Sequence, residues 1–167
     1  MKNFCFLLVL LVFLTGCGAQ ATFETVSDDY VQSVAATMQQ LQLALPEDAA
    51  VMTLENQGVG TLYLCDGYTI TVQTLESGDL EKTLKTVTGF TSSGLQLLQT
   101  GAGELDRYEC VWVAAGENGS QVCRGSILDD GNFHYVVTVM ADAQTAGVLT
   151  DQWNTIMSSV SLEKPQQ

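Results

Sequence analysis

Apolar and polar residues alternate along much of this 167-residue chain, and the period of the alternation predicts its elements. Where apolar residues recur at every second position, one face of an extended strand can be buried. The segments with this pattern, which we predict to be strands, are residues 39–45, 61–65, 68–75, 95–100, 105–115, 120–128 and 133–141. Asp66-Gly67 separates two of them and is typical of a tight hairpin turn.

A period near 3.6 residues predicts two helices. The first covers residues 80–88, where Asp79 can cap the start and Gly89 can stop the end. The second follows Asp142, which we expect to be its cap. The apolar stripe of this second helix consists of Leu149, Trp153, Ile156 and Val160.

The order of these elements predicts one domain over residues 39–163. Its class is α+β, with an antiparallel β-sheet of about six or seven strands and two main helices. Residues 17–38 before the domain are interpreted as a tether and an irregular leader. Residues 164–167 are interpreted as a disordered tail.

The start of the chain has a different pattern. Lys2 provides a positive charge, and residues 4–14 form an apolar run, which is shorter than the about 20 residues that a spanning helix needs. The run leads into Leu14-Thr15-Gly16-Cys17, which resembles the lipobox of bacterial lipoproteins. The resemblance implies that residues 1–16 are a signal peptide and that Cys17 is lipidated. An ordinary signal peptide that contains a cysteine, or a short transmembrane anchor, is the alternative.

A lipidated Cys17 would hold the mature chain on the extracytoplasmic face of a bacterial membrane. Each buried CH₂ of an acyl chain contributes about 0.8 kcal/mol, and stable anchoring takes two hydrophobic signals, which a diacylglyceryl group provides. We therefore expect the membrane to be a partner, bound through the anchor at Cys17.

The charge of the mature chain limits its other partners. Removal of residues 1–16 leaves nineteen acidic residues against five basic ones, so the net charge becomes about −14. Such a surface repels phosphate backbones, which argues against nucleic acid. Besides the membrane, we therefore expect the partner to be an unknown protein or small molecule.

Three more cysteines follow in the mature chain, and export would permit a disulfide. A two-residue turn at 118–119 would place Cys110 opposite Ile127, too far from Cys123 for a bond. Cys65 with Cys110 is then the preferred pair. Three buried, unpaired thiols are the alternative, since free cysteine packs well as a small apolar residue.

Few residues suggest catalysis or metal binding. His134, the single histidine, opens the last strand without a second ligand at zinc spacing, so we predict a surface or strand-end histidine. Residues 129–132 lack the ligand pattern of a calcium loop and predict a hairpin turn. We therefore expect no metal, no cofactor and no enzymatic activity.

Two aromatic residues suggest a binding face. Tyr108 and Trp112 share one side of a predicted strand, with Cys110 between them. If a helix covers that side, both rings belong to the core. If no helix covers it, they line an apolar cleft for a ligand or a partner.

Several features together resemble the PsbP/Mog1-like fold. They are the alternation that ends in Leu45-Pro46, the strand-to-helix passage over 75–89, the long hairpins and the closing Trp153-x-x-Ile156-x-x-Ser159-Val160. The resemblance covers about residues 39–163 and implies an α+β sandwich of a kind found in binding and accessory proteins. It implies no shared active site, so no functional residue is carried over.

The resulting hypothesis is a membrane-anchored extracytoplasmic lipoprotein that acts as a non-catalytic binding or accessory module of the cell envelope. The alternative is a small envelope enzyme, such as a hydrolase. A pocket in which His134 or several carboxylates with shifted pKa values converge would favour the enzyme.

Overall fold

The computed structural model describes residues 38–52, 60–102, 105–116 and 119–163. The chain divides into two units, and these residues belong to the second, residues 36–167. The expected signal peptide, Cys17, residues 18–37 and the tail over 164–167 lie outside the described residues. No helix within the described part of the chain is both long and apolar enough to cross a membrane.

Nine strands and two helices are described. The strands are β1 (Gln40–Gln42), β2 (Ala50–Met52), β3 (Gly60–Cys65), β4 (Tyr68–Glu76), β5 (Gln96–Ala102), β6 (Leu105–Gly116), β7 (Gly119–Asp129), β8 (Phe133–Asp142) and β9 (Ser161–Glu163). The helices are α1 (Leu80–Thr88) and α2 (Thr150–Ser159), and short 3₁₀ turns cover Ser92–Gly94 and Ala146–Leu149.

Seven strands form one sheet in the order β2-β3-β4-β8-β7-β6-β5, and all its neighbours are antiparallel. β1 and β9 form a separate two-stranded ladder. The hairpin between β3 and β4 turns at Asp66-Gly67, where Gly67 has a φ of 78°. The α+β class, the antiparallel sheet and the two helices are confirmed.

The sheet separates two cores because side chains alternate between its faces. The core beneath α2 consists mainly of Tyr68, Ile70, Leu128, Tyr135, Val137, Val139, Trp153, Ile156 and Met157. The core beneath α1 consists of Leu84, Cys110, Trp112, Cys123, Ile127 and Val136.

α1 begins and ends where the sequence predicts. The Asp79 carboxylate accepts a hydrogen bond from the Lys82 N–H at 3.2 Å, and it satisfies one of the free donors of the first turn. Gly89 closes the helix with a φ of 82°, and its N–H donates to the Lys85 carbonyl.

The start of α2 differs from the prediction. Asp142 is the last residue of β8, and its carbonyl accepts from the Thr145 N–H in a turn. The chain then forms the 3₁₀ turn Ala146–Leu149 and enters the helix only at Thr150. The expected Asp142 cap is therefore wrong, because the preceding strand pairs with β7 up to this residue.

The long hairpin turns one residue earlier than predicted. Gly116 pairs with Gly119, so Gly119 is not part of the turn, and the expected turn at 118–119 is wrong. Gly119 already belongs to β7, with a φ of 132° that suits glycine. Cys110 consequently faces Gly125 instead of Ile127.

The preferred disulfide between Cys65 and Cys110 is not formed. Both residues and Cys123 are free cysteines. Cys65 ends β3 and Cys110 lies on β6, with three strands between them in the sheet. At about 4.8 Å per strand this separation is about 19 Å, well beyond the roughly 7 Å limit for a disulfide.

Candidate functional site

Part of the sheet face that carries α2 is not covered by the helix. Leu98 on β5 and Val111 and Val113 on β6 lie on this face, and we call these three residues the open face. Their side chains are 59%, 49% and 57% exposed, respectively. Val148, in the 3₁₀ turn before α2, is 85% exposed. Several large exposed apolar groups on one side of a domain are typical of an interaction surface.

Two hollows adjoin the open face. The first, of about 310 Å³, lies between β5 and β6, and Gln96, Leu98 and Glu109 contribute to its lining. The second, of about 380 Å³, lies between β6, β7 and the segment leading into α2. The residues that line this second hollow are Val111, Val122, Arg124, Ala143, Ala146, Gly147, Thr150 and Trp153. Val111 and Arg124 line both hollows, so the two hollows lie side by side.

Two arginines beside the open face attach α2 to the sheet. The Glu109 carboxylate accepts from the guanidinium groups of Arg107 and Arg124, each at 3.1 Å. Arg107 also donates to the carbonyls of Met157 and Val160 at the end of α2, where the Met157 carbonyl accepts from the Val160 N–H as well. These contacts join residues about fifty positions apart, so no local sequence signal could have indicated them.

A second polar cluster surrounds His134. Its Nδ1 lies 2.7 Å from the Thr83 hydroxyl of α1, and its Nε2 lies 3.2 Å from the Asp129 carboxylate. The Ser77 hydroxyl donates to the same carboxylate at 2.9 Å. If Nε2–H donates to Asp129 and Thr83 donates to Nδ1, every polar atom of the ring has a partner.

The position of His134 corrects one expectation. The residue lies at the start of β8 as predicted, but its exposed fraction is only 1%, so it is not a surface histidine. It is buried because α1 packs over this end of the strand and supplies Thr83. The burial of a polar ring is then compensated by hydrogen bonds.

The end of β7 and the turn that follows it hold two carboxylates, Asp129 and Asp130, whose pKa values lie below the ordinary range. For Asp129, burial alone raises the pKa, but hydrogen bonds from the Gly131 N–H, Ser77 and His134 outweigh it. For Asp130, burial also raises the pKa. Hydrogen bonds from backbone and side-chain donors lower it and outweigh the effect of burial. These donors are the N–H groups of Phe133 and Asn132, the Gln39 amide and the Tyr135 hydroxyl. The predicted hairpin turn at 129–132 is present.

A hollow of about 300 Å³ lies beside this cluster at the start of α1. Ser77, Lys82 and Thr83 contribute to its lining, whereas His134 and Asp129 do not. Hydrogen bonds connect Thr83, His134 and Asp129 as they connect the nucleophile, the base and the orienting acid of a catalytic triad. The ring, however, is separated from the hollow by the two hydroxyl side chains. No group of three His, Cys, Asp or Glu side chains in the described ranges is placed to hold a metal ion.

Tyr108 and Trp112 lie on the opposite side of β6 from the open face. Trp112 is 7% exposed and packs in the cluster beneath α1. A Cβ atom at Gly125 would lie only 3.1 Å from its ring, so the two residues pack closely. Tyr108 is partly buried, and burial raises its pKa. A helix therefore covers this side, and both rings belong to the core and its margin.

The comparisons with known proteins give the fold. No protein-family model matches the sequence, and no curated protein matches it significantly. The chain is similar to the solution structure of cyanobacterial PsbP (CyanoP) from Synechocystis sp. PCC 6803, with a TM-score of 0.55 and 12% identity over 77% of this chain and 96% of that one.

Two crystal structures are also similar. One is LpqN of Mycobacterium tuberculosis, described as involved in cell envelope biogenesis, with a TM-score of 0.48 and 13% identity over 77% of this chain and 85% of that one. The other is a protein of Bacteroides thetaiotaomicron VPI-5482, with a TM-score of 0.52 and 10% identity over 76% of this chain and 46% of that one. The fold of the domain is therefore PsbP-like, as the resemblance implied.

Proposed function

We propose that this protein is a lipid-anchored, extracytoplasmic module of the bacterial cell envelope that binds a partner without catalysing a reaction. The open face carries the proposal, because a domain of this size rarely leaves several large apolar side chains exposed together. Leu14-Thr15-Gly16-Cys17 supports the location, and the PsbP-like fold is compatible with an accessory role. His134 itself lines none of the three hollows described above.

The anchor is tested at Cys17. In Cys17→Ala the acceptor thiol is absent, so we expect the protein to move from the detergent phase to the aqueous phase, or to keep its signal peptide. Cys5→Ala is the matched control, because Cys5 also lies in the first segment but does not follow the lipobox. Unchanged partitioning of Cys17→Ala together with normal removal of residues 1–16 would exclude the anchor.

The binding face is tested by a charge at its centre. Val113→Asp places a carboxylate among the apolar groups of the open face. We expect about a ten-fold lower yield of the partner cross-linked in intact cells, which corresponds to about 1.4 kcal/mol. Val51→Asp is the control, because Val51 is 64% exposed on β2 at the other end of the sheet. Equal yields from the two variants would contradict the assignment of this face.

The alternative, a small envelope hydrolase, is favoured by one observation, the Thr83–His134–Asp129 arrangement. In a hydrolase the Thr83 hydroxyl would attack a carbonyl and pass its proton to Nδ1, while Asp129 held the ring. Thr83 is 4% exposed and His134 is 1% exposed, which leaves a substrate little access. A fluorophosphonate probe separates the two functions. Labelling of the parent protein that is lost in Thr83→Val would establish the hydrolase, and we expect no labelling.

A further inference from the structure

The two ends of the seven-stranded sheet differ in length. β2, at one end, has three residues, whereas β5, at the other, has seven. An edge strand presents backbone N–H and C=O groups that can pair with another strand. Proteins usually protect long edges with charged side chains, prolines, bulges or a covering segment.

β5 has none of the first three protections. Its sequence, Gln-Leu-Leu-Gln-Thr-Gly-Ala, contains no charged residue and no proline. Its register with β6 is continuous from Gln96 opposite Val111 to Ala102 opposite Leu105, so no bulge turns the edge aside. The exposed residues of β5 are Gln96, Leu98, Gln99, Thr100 and Gly101. Exposure along most of the strand indicates that none of the residues that the structure describes covers this edge.

We propose that β5 pairs antiparallel with β5 of a second copy of this protein, around a two-fold axis at Gln99. An axis at this residue pairs all seven residues of the strand, because Gln96 then faces Ala102 of the second copy. Leu98 faces Thr100, and the two Gln99 side chains face each other. The contact is isologous, as expected for a dimer with two-fold symmetry.

The pairing joins the two open faces. A two-fold axis perpendicular to the sheet keeps the same face of both copies on one side, so the two Leu98 side chains come to lie near each other. Leu98 is 59% exposed in the single chain, and the pairing covers part of it. The dimer thereby presents one apolar surface that extends from Val111 of one copy to Val111 of the other.

Charge favours a second copy over a different partner at this edge. The acidic chain, with a net charge of −13, attracts basic proteins, but β5 provides no carboxylate for a basic strand. Two copies of an uncharged strand place no like charges opposite each other. Repulsion between the two acidic domains acts over longer distances and is screened beyond about 8 Å at physiological ionic strength. Dimer formation should therefore increase with salt.

The proposal is tested by cross-linking the full chain in the cells that produce it. Gln99→Cys places two thiols opposite each other at the axis, where paired Cα atoms lie about 4.5–5.5 Å apart, within disulfide range. After mild oxidation we expect a dimer on a non-reducing gel, with a higher yield at higher salt. Val51→Cys on β2 is the matched control and should remain monomeric, as should the parent chain.

A second variant tests the edge itself. Thr100→Lys, added to Gln99→Cys, places a charge opposite Leu98 of the second copy. We expect the dimer yield to fall about ten-fold. An unchanged melting temperature would show that the fold persists. The proposal is overturned by absence of the Gln99→Cys dimer, by an equal dimer yield from Val51→Cys, by an undiminished yield with Thr100→Lys, or by cross-linking to a different protein. It does not rest on the proposed function, because loss of partner binding in Val113→Asp leaves the Gln99→Cys result unaffected.

Discussion

The network around Asp129 illustrates how single residues stabilise this domain. The carboxylate accepts from Ser77, from the Gly131 N–H at 2.8 Å and from His134. It thereby links the β7–β8 turn to the end of β4 and, through the ring, to α1. Hydrogen bonds to an ionised group contribute about 1.5–3 kcal/mol each.

The lowered pKa of Asp129 predicts loss of stability in acid. A carboxyl group whose pKa is lower in the folded state stabilises the fold above its unfolded pKa, and the contribution is lost as pH falls through the folded pKa. We expect the free energy of unfolding in urea to fall between pH 7 and pH 3. In Asp129→Asn it should already be lower at pH 7, by about 1–3 kcal/mol, and should fall less on acidification.

Glu47→Gln is the control for this measurement, because Glu47 is exposed in the turn before β2. Its pH dependence should equal that of the parent protein. An acid-induced loss of the same size in Asp129→Asn and the parent would contradict the role assigned to Asp129.

At the scale of elements, α2 depends on the sheet for the end of its hydrogen-bond ladder. The Arg107 guanidinium donates to two carbonyls there, a favourable position for a positive charge because the helix dipole is negative at this end. Arg124 instead donates to α2 at the Asn154 side chain. The two arginines share Glu109 but have different functions in docking the helix.

Arg107→Met should therefore destabilise the domain more than Arg124→Met. Methionine keeps an apolar stem and removes the donors, so the loss in the free energy of unfolding should be about 1–3 kcal/mol. Glu109 keeps one arginine in either variant, which makes the pair a matched comparison. Equal losses in urea denaturation would show that the helix-end carbonyls contribute little.

The elements that sequence could predict are those with local signals. Asp79 and Gly89 act on the backbone within one turn, so α1 was predictable at both ends. The start of α2 was not, because pairing with β7 extends β8 through Asp142, a residue that could equally cap a helix. The turn between β6 and β7 lies one residue earlier than predicted for a similar reason, since Gly119 fits both a turn and the start of a strand.

At the scale of the whole molecule, the sequence could predict the fold but not the candidate binding site. Alternation of apolar residues indicated which faces of the strands are buried. It did not indicate how far α2 extends across its face, and the open face is the part that α2 leaves uncovered. Trp112 and Val113 are neighbours on β6, yet Trp112 is core and Val113 is 57% exposed, because they point to opposite faces of the sheet and α2 does not cover Val113.

The distribution of the free thiols has a consequence for how the domain matures. Cys65, Cys110 and Cys123 remain unpaired, and burial raises the pKa of each thiol, that of Cys110 to about 11. Since the thiolate is the reactive form, these side chains resist oxidation at neutral pH. The domain can therefore reach its native state without an oxidase or an isomerase. Its stability should therefore be the same in reducing and oxidising surroundings.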